Sequence, residues 1–324
     1  MGLMILLMAL PLVATFYLSV RNCAIEMEVV TVQETTPFGS TDVVTQRAKL
    51  DAKGNTNPQC KFVGLEYFKK VLGLDEAANA SAGGPPDANG AVQGAQSKEF
   101  TSALKFTMLY TLVTTPIVIF FGFLVALAVN QSNPKMRAFL ITATLLPTII
   151  TPIVGGLAIK WLFRDNGLIP YLLSFFDISI YWMAQAWSAQ LLVILYGIWH
   201  STPFAFIVLY AGLQSVPQDS LEAATIDGAN AWQRFCYVTL PHLMPLVVFI
   251  ALINLMDAYR VFEPVVVLTQ GAFTTTVQYL TYAILTQESN PYKASAAAVL
   301  TTLGIAVIIL PLLVKTWREH KAGA

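Results

Sequence analysis

Long apolar runs alternate with polar segments along the chain. A helix needs about 20 apolar residues to cross the hydrocarbon core of a bilayer. Six segments reach that length, at about residues 2–20, 104–129, 138–159, 189–213, 242–268 and 294–315. They are too long and unbroken for strands, and they lack the alternation of a membrane β-barrel. The pattern predicts an all-α integral membrane protein with six transmembrane helices.

Several of these runs contain proline, which would break a helix in water. The prolines are Pro116, Pro147, Pro152, Pro203, Pro245 and Pro264. Membrane helices tolerate proline where neighbouring groups satisfy the freed carbonyls, and such a kink often borders a cavity. Proline is also simply more frequent in membrane helices. Each proline therefore indicates either a cavity or general tolerance.

The first run, residues 2–20, is predicted to be a retained anchor helix rather than a cleaved signal peptide. No Lys or Arg precedes it, it is longer than a typical signal-peptide core, and no A-x-A motif follows before Arg21. A membrane helix that starts at residue 2 has no inner flank, so we expect a few native residues before Met1.

A hydrophilic segment at about residues 21–101 separates the first run from a core of residues 102–324. Residues 62–68 have the periodicity of a short amphipathic helix, and residues 75–97 have the composition of a flexible loop. The segment predicts a small domain on one side of the membrane.

Composition strengthens the membrane prediction. Hydrophobic residues make up 56% of the 324 residues and charged residues 12%, about half the charge of a typical soluble domain. Lys and Arg together number 19, as do Asp and Glu, so the formal net charge is zero. This balance argues against a nucleic-acid-binding protein, which would be basic, and against a disordered chain.

The positions of the basic residues predict an orientation for the six runs. Cytoplasmic loops carry an excess of Lys and Arg. If both termini are cytoplasmic, the inner segments hold Lys135, Arg137, Arg234, Lys315, Arg318 and Lys321, and the short outer segments hold Lys160, Arg164 and Lys293. This bias predicts cytoplasmic termini, although Arg21 argues mildly for the opposite.

The cysteines fit this orientation. Cys23 and Cys60 share the outer segment, where they either form a disulfide in an oxidising compartment or remain free thiols. Cys236 falls on an inner loop and is expected to be reduced.

The polar segment between the fourth and fifth runs, residues 214–241, predicts a helix–turn–helix outside the membrane. Ser215 and Gln218 fit a capping box, and Pro217 suits a first helical turn. Gly228 permits a left-handed or tightly packed turn. A second short helix follows, with an apolar face of Trp232, Phe235, Cys236 and Val238.

This segment resembles the coupling loop of bacterial ABC importer permeases. The pattern is Glu222-Ala223-Ala224, two residues, Asp227-Gly228-Ala229, five residues, Phe235, two residues and Val238-Thr239-Leu240-Pro241. Residues 203–217, 16–19 and 166–169 resemble the carbohydrate branch, with its maltose-type permeases. The resemblance covers the whole chain, and about 25 residues carry its specificity.

The resemblance implies a non-catalytic permease subunit of a binding-protein-dependent sugar importer in the prokaryotic inner membrane. Its partners would be a second homologous permease, two ATPase subunits and an extracytoplasmic substrate-binding protein. ATP and Mg would bind to the ATPase. The chain itself contains no Gly-Lys pair and hence no phosphate-binding P-loop.

The resemblance also assigns roles within the loop, whose helix docks on the ATPase in the family. Glu222 would be a charged anchor, and Asp227 would cap or orient the turn. The ATPase would approach the loop closely at its small residues Ala223, Ala224, Gly228 and Ala229. Phe235 and Leu240 would attach the loop to the membrane helices, and Pro241 opens the fifth run.

A second group of candidate residues interrupts the fifth run. A charge at mid-membrane costs about 2.5–3.5 kcal/mol on insertion scales. Asp257, Arg260 and Glu263 lie three residues apart, so on a continuous helix they would share one face. That face either binds sugar hydroxyls or forms an ion-pair network around Arg260. The predicted substrate path consists of Asp257, Tyr259, Arg260, Phe262, Glu263 and Gln270.

Ala272 and Phe273 depart from the Leu-Thr-x-Gly-Gly-Pro pattern of many relatives, so the resemblance does not define the outer loop or the type of sugar.

In maltose-type permeases an outer domain that helps to hold the binding protein follows the first core helix. The resemblance implies that segment 21–101 is either such a domain or a solvated spacer. His200 is expected to be a packed helix residue, and no metal-ligand spacing is present.

Two other classes of membrane protein fit the sequence less well. A stand-alone secondary transporter or channel for a small polar solute usually shows inverted repeats or a charged pore ring. The first three and last three runs show no repeat. A membrane-embedded enzyme would need a catalytic pair near the end of a span, and the sequence offers none.

Overall fold

The computed structural model describes residues 2–25, 27–36, 39–48, 58–72, 88–177 and 180–322. Within these residues the chain is mostly helical. It divides into two units: Met1–Ser97 with Ile284–Leu300, and Lys98–Ala283 with Thr301–Ala324.

The first unit contains helices and strands. Helix α1 (Gly2–Ser19) is followed by two antiparallel strand pairs and helix α2 (Glu66–Leu72). The strands are β1 (Arg21–Ile25) paired with β4 (Pro58–Phe62), and β2 (Met27–Thr36) paired with β3 (Gly39–Ala48). The all-α prediction is therefore wrong for this segment. Its runs of Val and Thr favour strands, because β-branched side chains fit a pleated backbone.

A disulfide joins β1 to β4. The strand register places Cys23 opposite Cys60, and the two are bonded, which decides between the two alternatives for these thiols. The amides of Val63 and Gly64 donate to the carbonyl of Val20, at 2.9 and 3.2 Å. The end of β4 is thus attached to the end of α1.

Helix α2 confirms the short amphipathic helix predicted in this region, shifted by a few residues. Tyr67 and Val71 form its buried face. Residues 73–87 lie outside the described part of the chain. Helix α3 (Ala88–Gln131) already includes residues 88–97, so the predicted loop at 75–97 is wrong for its last ten residues.

From Ala88 onward the described residues are mainly helical and include two π-helical turns. In order, the elements are α4 (Pro134–Ile149), α5 (Pro152–Phe163), α6 (Leu168–Ser174), α7 (Ala186–Gln214), α8 (Gln218–Ile226), α9 (Ala231–Arg234), π1 (Phe235–Thr239), α10 (Leu240–Tyr259), π2 (Val265–Thr269), α11 (Val277–Thr286) and α12 (Pro291–Ala322).

Four described helices are long and apolar enough to cross a membrane. They are Glu99–Gln131, Ala186–Gln214, Ala231–Tyr259 and Pro291–Val314. A fifth span is obtained if the bent pair of Pro134–Ile149 and Pro152–Ser174 is counted as one. The helix of the first predicted run is apolar but shorter, at Ala9–Ser19. The structure therefore supports four or five of the six predicted spans by length and composition.

The third predicted run, residues 138–159, is not one helix. Helix α4 ends at Ile149, and α5 starts at Pro152 after a bend of 96°. Thr151 has an extended backbone, with φ −60° and ψ 143°. A residue that precedes proline is pushed out of the helical region by the proline ring, so Pro152 breaks this run.

The fifth predicted run, residues 242–268, is also interrupted. Helix α10 ends at Tyr259, and the chain becomes helical again only from Glu263 into π2. Pro264 has no N–H to donate to the carbonyl of Arg260, and its ring would clash with that carbonyl. Asp257, Arg260 and Glu263 consequently do not lie on one continuous helix.

The core of the second unit lies among α3, α7 and α10. Val118, Phe206 and Ile250 are fully buried in one of its apolar clusters. Gly122 lets α3 approach α7 closely, because a Cβ there would meet the backbone nitrogen of Phe206 at 2.9 Å. Small residues serve the same purpose at helix contacts in membranes generally.

The long helices differ in how much of their surface the chain itself covers. The most apolar window of α7 is 39% buried, whereas the corresponding windows of the α10 and α12 spans are each 11% buried. Such apolar surface requires lipid or another membrane subunit as its surroundings.

Candidate functional site

Helix α8 ends in a Schellman motif built around Gly228. The amide of Ala229 donates to the carbonyl of Ala224 at 3.0 Å, and the amide of Gly228 donates to that of Thr225 at 3.1 Å. Gly228 has φ +79°, the left-handed conformation that this cap requires. A Cβ at position 228 would meet nothing within 4 Å. The left-handed turn therefore explains the glycine at position 228. Tight packing within this chain does not explain it.

The capping residues differ from the prediction. Ser215 does not cap α8, since its hydroxyl donates to the carbonyl of Gly212 at the end of α7. The capping box lies one helix later, where Asn230 and Gln233 each accept the other's backbone N–H at 2.8 Å. Ser215 follows α7 without a break, so its side chain reaches the preceding turn first.

Two contacts hold the second half of the loop. The guanidinium of Arg234 donates to the hydroxyl of Thr225 at 2.9 Å, which ties α9 back to α8. The ring of Phe235 lies 5.5 Å from that of Phe123 in α3. Arg234 and Phe235 therefore connect the loop to itself and to a long apolar helix.

The outer surface of the helix–turn–helix is open. Glu222, Ala223, Asp227 and Gly228 are exposed, and Ala224 and Ala229 are half-buried. Apolar side chains are exposed beside them, with Ile226 86% and Trp232 71% accessible. Exposed apolar residues lie here next to carboxylates that have no ion-pair partner among the described residues, and such a surface is suited to another protein. Leu240 is partly exposed and Pro241 lies in the first turn of α10.

A cavity of about 440 Å³ lies where α3, α5, α7 and the broken fifth run meet. Its lining includes Tyr110, Tyr196, His200, Asn254, Asp257, Arg260, Phe262, Glu263 and Gln278. Four of the six residues predicted for the substrate path line this cavity, namely Asp257, Arg260, Phe262 and Glu263. Aromatic rings, amides and carboxylates together can stack on and hydrogen-bond a polyhydroxylated molecule.

The charges in this cavity are not balanced. The guanidinium of Arg260 lies 3.4 Å from a carboxylate oxygen of Asp257. Among the described residues, no cation lies within ion-pair distance of Glu263. The predicted network in which Arg260 neutralises both carboxylates is thus only half formed.

Two predicted residues lie elsewhere. Tyr259 is buried, and its hydroxyl faces Gly304 of α12 so closely that a Cβ there would collide with it. Gln270 has a left-handed backbone, and its carbonyl accepts a hydrogen bond from Tyr279 at 2.6 Å. The structure brings neither to the cavity lining.

The sequence prediction missed the cavity residues of α3, α7 and the middle of α10. Asn254 accepts a hydrogen bond from Thr115 at 3.1 Å. His200 was expected to be packed, and its ring does stack on Tyr196 at 5.8 Å. Its Nε2, however, is buried without a hydrogen-bond partner in the described structure. Polar residues inside apolar runs were the available signal.

Neither region holds a metal-binding arrangement within the described residues, where no group of three or more His, Cys, Asp or Glu side chains is suitably placed.

Comparison with known proteins places these features in a family. Residues 89–319 match the family described as binding-protein-dependent transport system inner membrane component. The chain is 31% identical over 270 residues to a probable ABC transporter permease protein, PH1038, of Pyrococcus horikoshii, covering 81% of this chain and 87% of that protein. It is 30% identical over 230 residues to the trehalose/maltose transport system permease protein MalF of Thermococcus litoralis, covering 69% and 70%.

A solved structure supports the same assignment. It is described as a bacterial alginate ABC transporter in complex with an alginate pentasaccharide-bound periplasmic protein. The similarity has a TM-score of 0.62 and 25% identity, and covers 76% of this chain and 83% of that chain. The predicted resemblance to carbohydrate-type permeases is confirmed. The chain belongs to the family of inner-membrane components of binding-protein-dependent transport systems, as a non-catalytic permease subunit whose ATPase is a separate chain.

Proposed function

We propose that the chain forms half of the translocation path of a carbohydrate importer and transmits ATP-driven movement to that path. The observation that carries the proposal is the polar cavity at the break of the fifth run, in an otherwise apolar helical core. Discontinuous membrane helices commonly border substrate sites, because their irregular backbone is tolerated where it lines a cavity.

The helix–turn–helix at residues 214–241 is the proposed coupling element, on the cytoplasmic side. Glu222 anchors it to an ATPase subunit. Ala223, Ala224, Gly228 and Ala229 present small side chains for close approach, and the turn at Asp227 is fixed by the Schellman motif. Phe235 and Leu240 pass the movement to the membrane helices. The movement is alternating access, driven by partners that bind two states differently.

The cavity is the proposed sugar-contact site. Asp257, Arg260 and Glu263 bind hydroxyl groups, and Phe262 offers a ring for stacking. The names of two similar proteins support sugars as the substrate class. One is a trehalose/maltose transport system permease, and the other is described as an alginate ABC transporter. Tyr259 and Gln270 act from outside the lining, by holding the neighbouring helix and loop in place.

The proposed topology has six membrane-crossing segments and both termini in the cytoplasm of a prokaryote. The complete importer contains a second homologous permease, two ATPase subunits that bind ATP and Mg, and an extracytoplasmic binding protein. The weakly covered apolar surfaces of α10 and α12 support a membrane partner. In this arrangement the outer segment, whose strands β1 and β4 are joined by the disulfide, faces the binding protein.

Reconstitution tests the proposal. The chain is placed in vesicles with its partner permease, ATPase and binding protein, and sugar uptake and ATP hydrolysis are measured while each component is left out in turn. We expect uptake only with every component, and sugar-stimulated hydrolysis that depends on the binding protein. Uptake by this chain alone would instead identify a secondary transporter or channel.

A further inference from the structure

Between α10 and α11 the backbone is irregular on both sides of π2, and side chains donate hydrogen bonds to several of its carbonyls. The donors come from the segment itself, from α11 and from two other helices. The pairs are Val261 with Thr276 at 2.9 Å, Val265 with Thr269 at 3.0 Å, Val267 with Lys160 at 2.8 Å, Gln270 with Tyr279 at 2.6 Å, and Phe273 with Gln190 at 3.0 Å. Backbone without helical bonding at membrane depth requires such partners, because lipid offers none.

Lys160 differs from the other donors in carrying a charge on a separate apolar helix. It lies in the last turn of α5, and its Nζ donates to the carbonyl of Val267 within π2. A lysine in a membrane helix is costly, and such residues typically pair with other groups inside the protein. A positive group also suits a carbonyl near the end of a helical turn, where the dipole is negative.

Helix α5 is built to approach π2 closely. Gly156 lies one turn before Lys160 and therefore on the same face. A Cβ at Gly156 would lie 3.2 Å from Val267 Cγ1. Val265 and Leu268 are buried in the cluster against which Ile159 of α5 also packs. Glycine, apolar packing and the lysine together fix α5 to this turn.

Helical turn π2 follows the cavity residues directly. Phe262, Glu263 and Pro264 line the cavity and lead into Val265. We propose that Lys160 is a positioning residue of the substrate path, which holds π2 in place and thereby fixes Phe262 and Glu263 at the cavity. This inference rests on the proposed function of that cavity. From the sequence, Lys160 is only a basic residue of a short outer segment.

Amide hydrogen exchange tests the tether without relying on transport. The full-length chain in lipid nanodiscs is compared with Lys160→Met and with Arg164→Met, a matched loss of charge four residues later. Arg164 lies over the ring of Trp161, at 5.3 Å. We expect exchange in residues 262–272 to rise about tenfold in Lys160→Met, since the part-buried carbonyl of Val267 loses its partner. Arg164→Met should match the wild type.

Uptake by the complete transporter tests the effect on the site. Lys160→Met should raise the half-saturating sugar concentration about tenfold. Lys160→Arg keeps a cationic donor, so its half-saturating concentration should lie close to that of the wild type. Unchanged exchange or unchanged half-saturation in Lys160→Met would overturn the inference. Absence of uptake in the wild type would instead overturn the proposed function and leave the exchange result valid.

A second variant covers the case in which Lys160→Met does not insert. Gly156→Ala adds a methyl group against Val267 and leaves the lysine in place. We expect a smaller shift in the same direction, in both exchange and half-saturation. Wild-type values in both measurements would contradict the inference.

Discussion

Single residues decide what the cavity can bind, and the clearest case is the unequal pairing of its two carboxylates. Asp257 has Arg260 as a partner, whereas Glu263 has no cation at ion-pair distance in the described structure. The side chains of Arg260 and Asp257 are 52% and 66% exposed, and such pairs stabilise a fold by at most about 1 kcal/mol. Their value for folding is therefore small.

Neutralising the two carboxylates should separate binding from folding. We expect Asp257→Asn and Glu263→Gln to lower the free energy of unfolding by less than about 1 kcal/mol. Each should raise the half-saturating sugar concentration about tenfold, because a hydrogen bond to a charged group is lost. Thermal unfolding and uptake assays check this, with Asp219→Asn on α8 as the control. A large stability loss with unchanged uptake would favour a purely structural ion pair.

Gly228 sets a different kind of requirement. We expect Gly228→Asp to abolish transport while the chain remains in the membrane, since its carboxylate adds a negative charge to the proposed docking surface and a side chain at φ +79° costs more than glycine. Gly228→Asn should retain more activity, because asparagine tolerates this conformation. Membrane fractionation and uptake provide the measurement. Equal activity of the Asp and Asn variants would contradict the reasoning.

At the scale of elements, helix α8 carries the coupling prediction. Glu222 is exposed and Asp219, one turn earlier, is exposed as well. We expect Glu222→Lys to leave insertion and thermal stability unchanged but to abolish uptake, because the new charge would repel the docking surface that received the carboxylate. Asp219→Lys is the matched control and should reduce uptake much less.

Binding of the purified ATPase to the two α8 variants distinguishes docking from a later step. Loss of ATPase binding in Glu222→Lys alone supports the anchor role. Normal uptake by Glu222→Lys would remove the role of this loop in coupling.

The long apolar helices could be predicted from the sequence because they depend mainly on composition. The breaks within two of the apolar runs could not, because they depend on competition between local interactions. The apolar runs around α3, α7 and α12 are evident because lipid selects for length and hydrophobicity. The breaks at Thr151 and Arg260 were missed because proline in a membrane helix either kinks or ends it, and the choice depends on neighbouring donors such as Lys160 and Thr276.

The candidate site was predicted in the same uneven way. The helix–turn–helix at residues 214–241 was predicted because its motif is contiguous in the chain, and the structure has short helices there, while its coupling role stays a prediction. Asn254 and His200 were missed because they lie on helices whose packing brings them to the cavity. The cap was assigned to Ser215 rather than Asn230 because either residue satisfies the same spacing rule, and only the backbone path decides between them.

At the scale of the whole molecule, the three cysteines report on topology. Cys23 and Cys60 are bonded in the first unit, and Cys236 is free and partly accessible in π1. If both termini are cytoplasmic, a membrane-impermeant maleimide added to intact cells should label Cys23 and Cys60 only after reduction, and Cys236 only after permeabilisation. Labelling of Cys236 from outside would reverse the orientation.

The exposed apolar faces of α10 and α12 give a second prediction at this scale. Their most apolar windows are each 11% buried by the chain itself. We expect the chain to co-purify with a second permease when both are expressed together, and to be recovered in lower yield when expressed alone. Equal yield and a monomeric chain in both cases would argue that lipid alone covers these faces.

The turn at Gly228 combines a left-handed backbone with empty space where a side chain would be. Its requirement is therefore one of chirality and not of size. A D-alanine, whose preferred φ is positive, would adopt this backbone conformation without strain. It would also restrict the unfolded chain more than glycine does, an effect of about 0.4–1 kcal/mol for alanine at compatible sites. A semisynthetic permease with D-alanine at this position should hold its coupling turn more firmly than the natural protein, whereas L-alanine should loosen it.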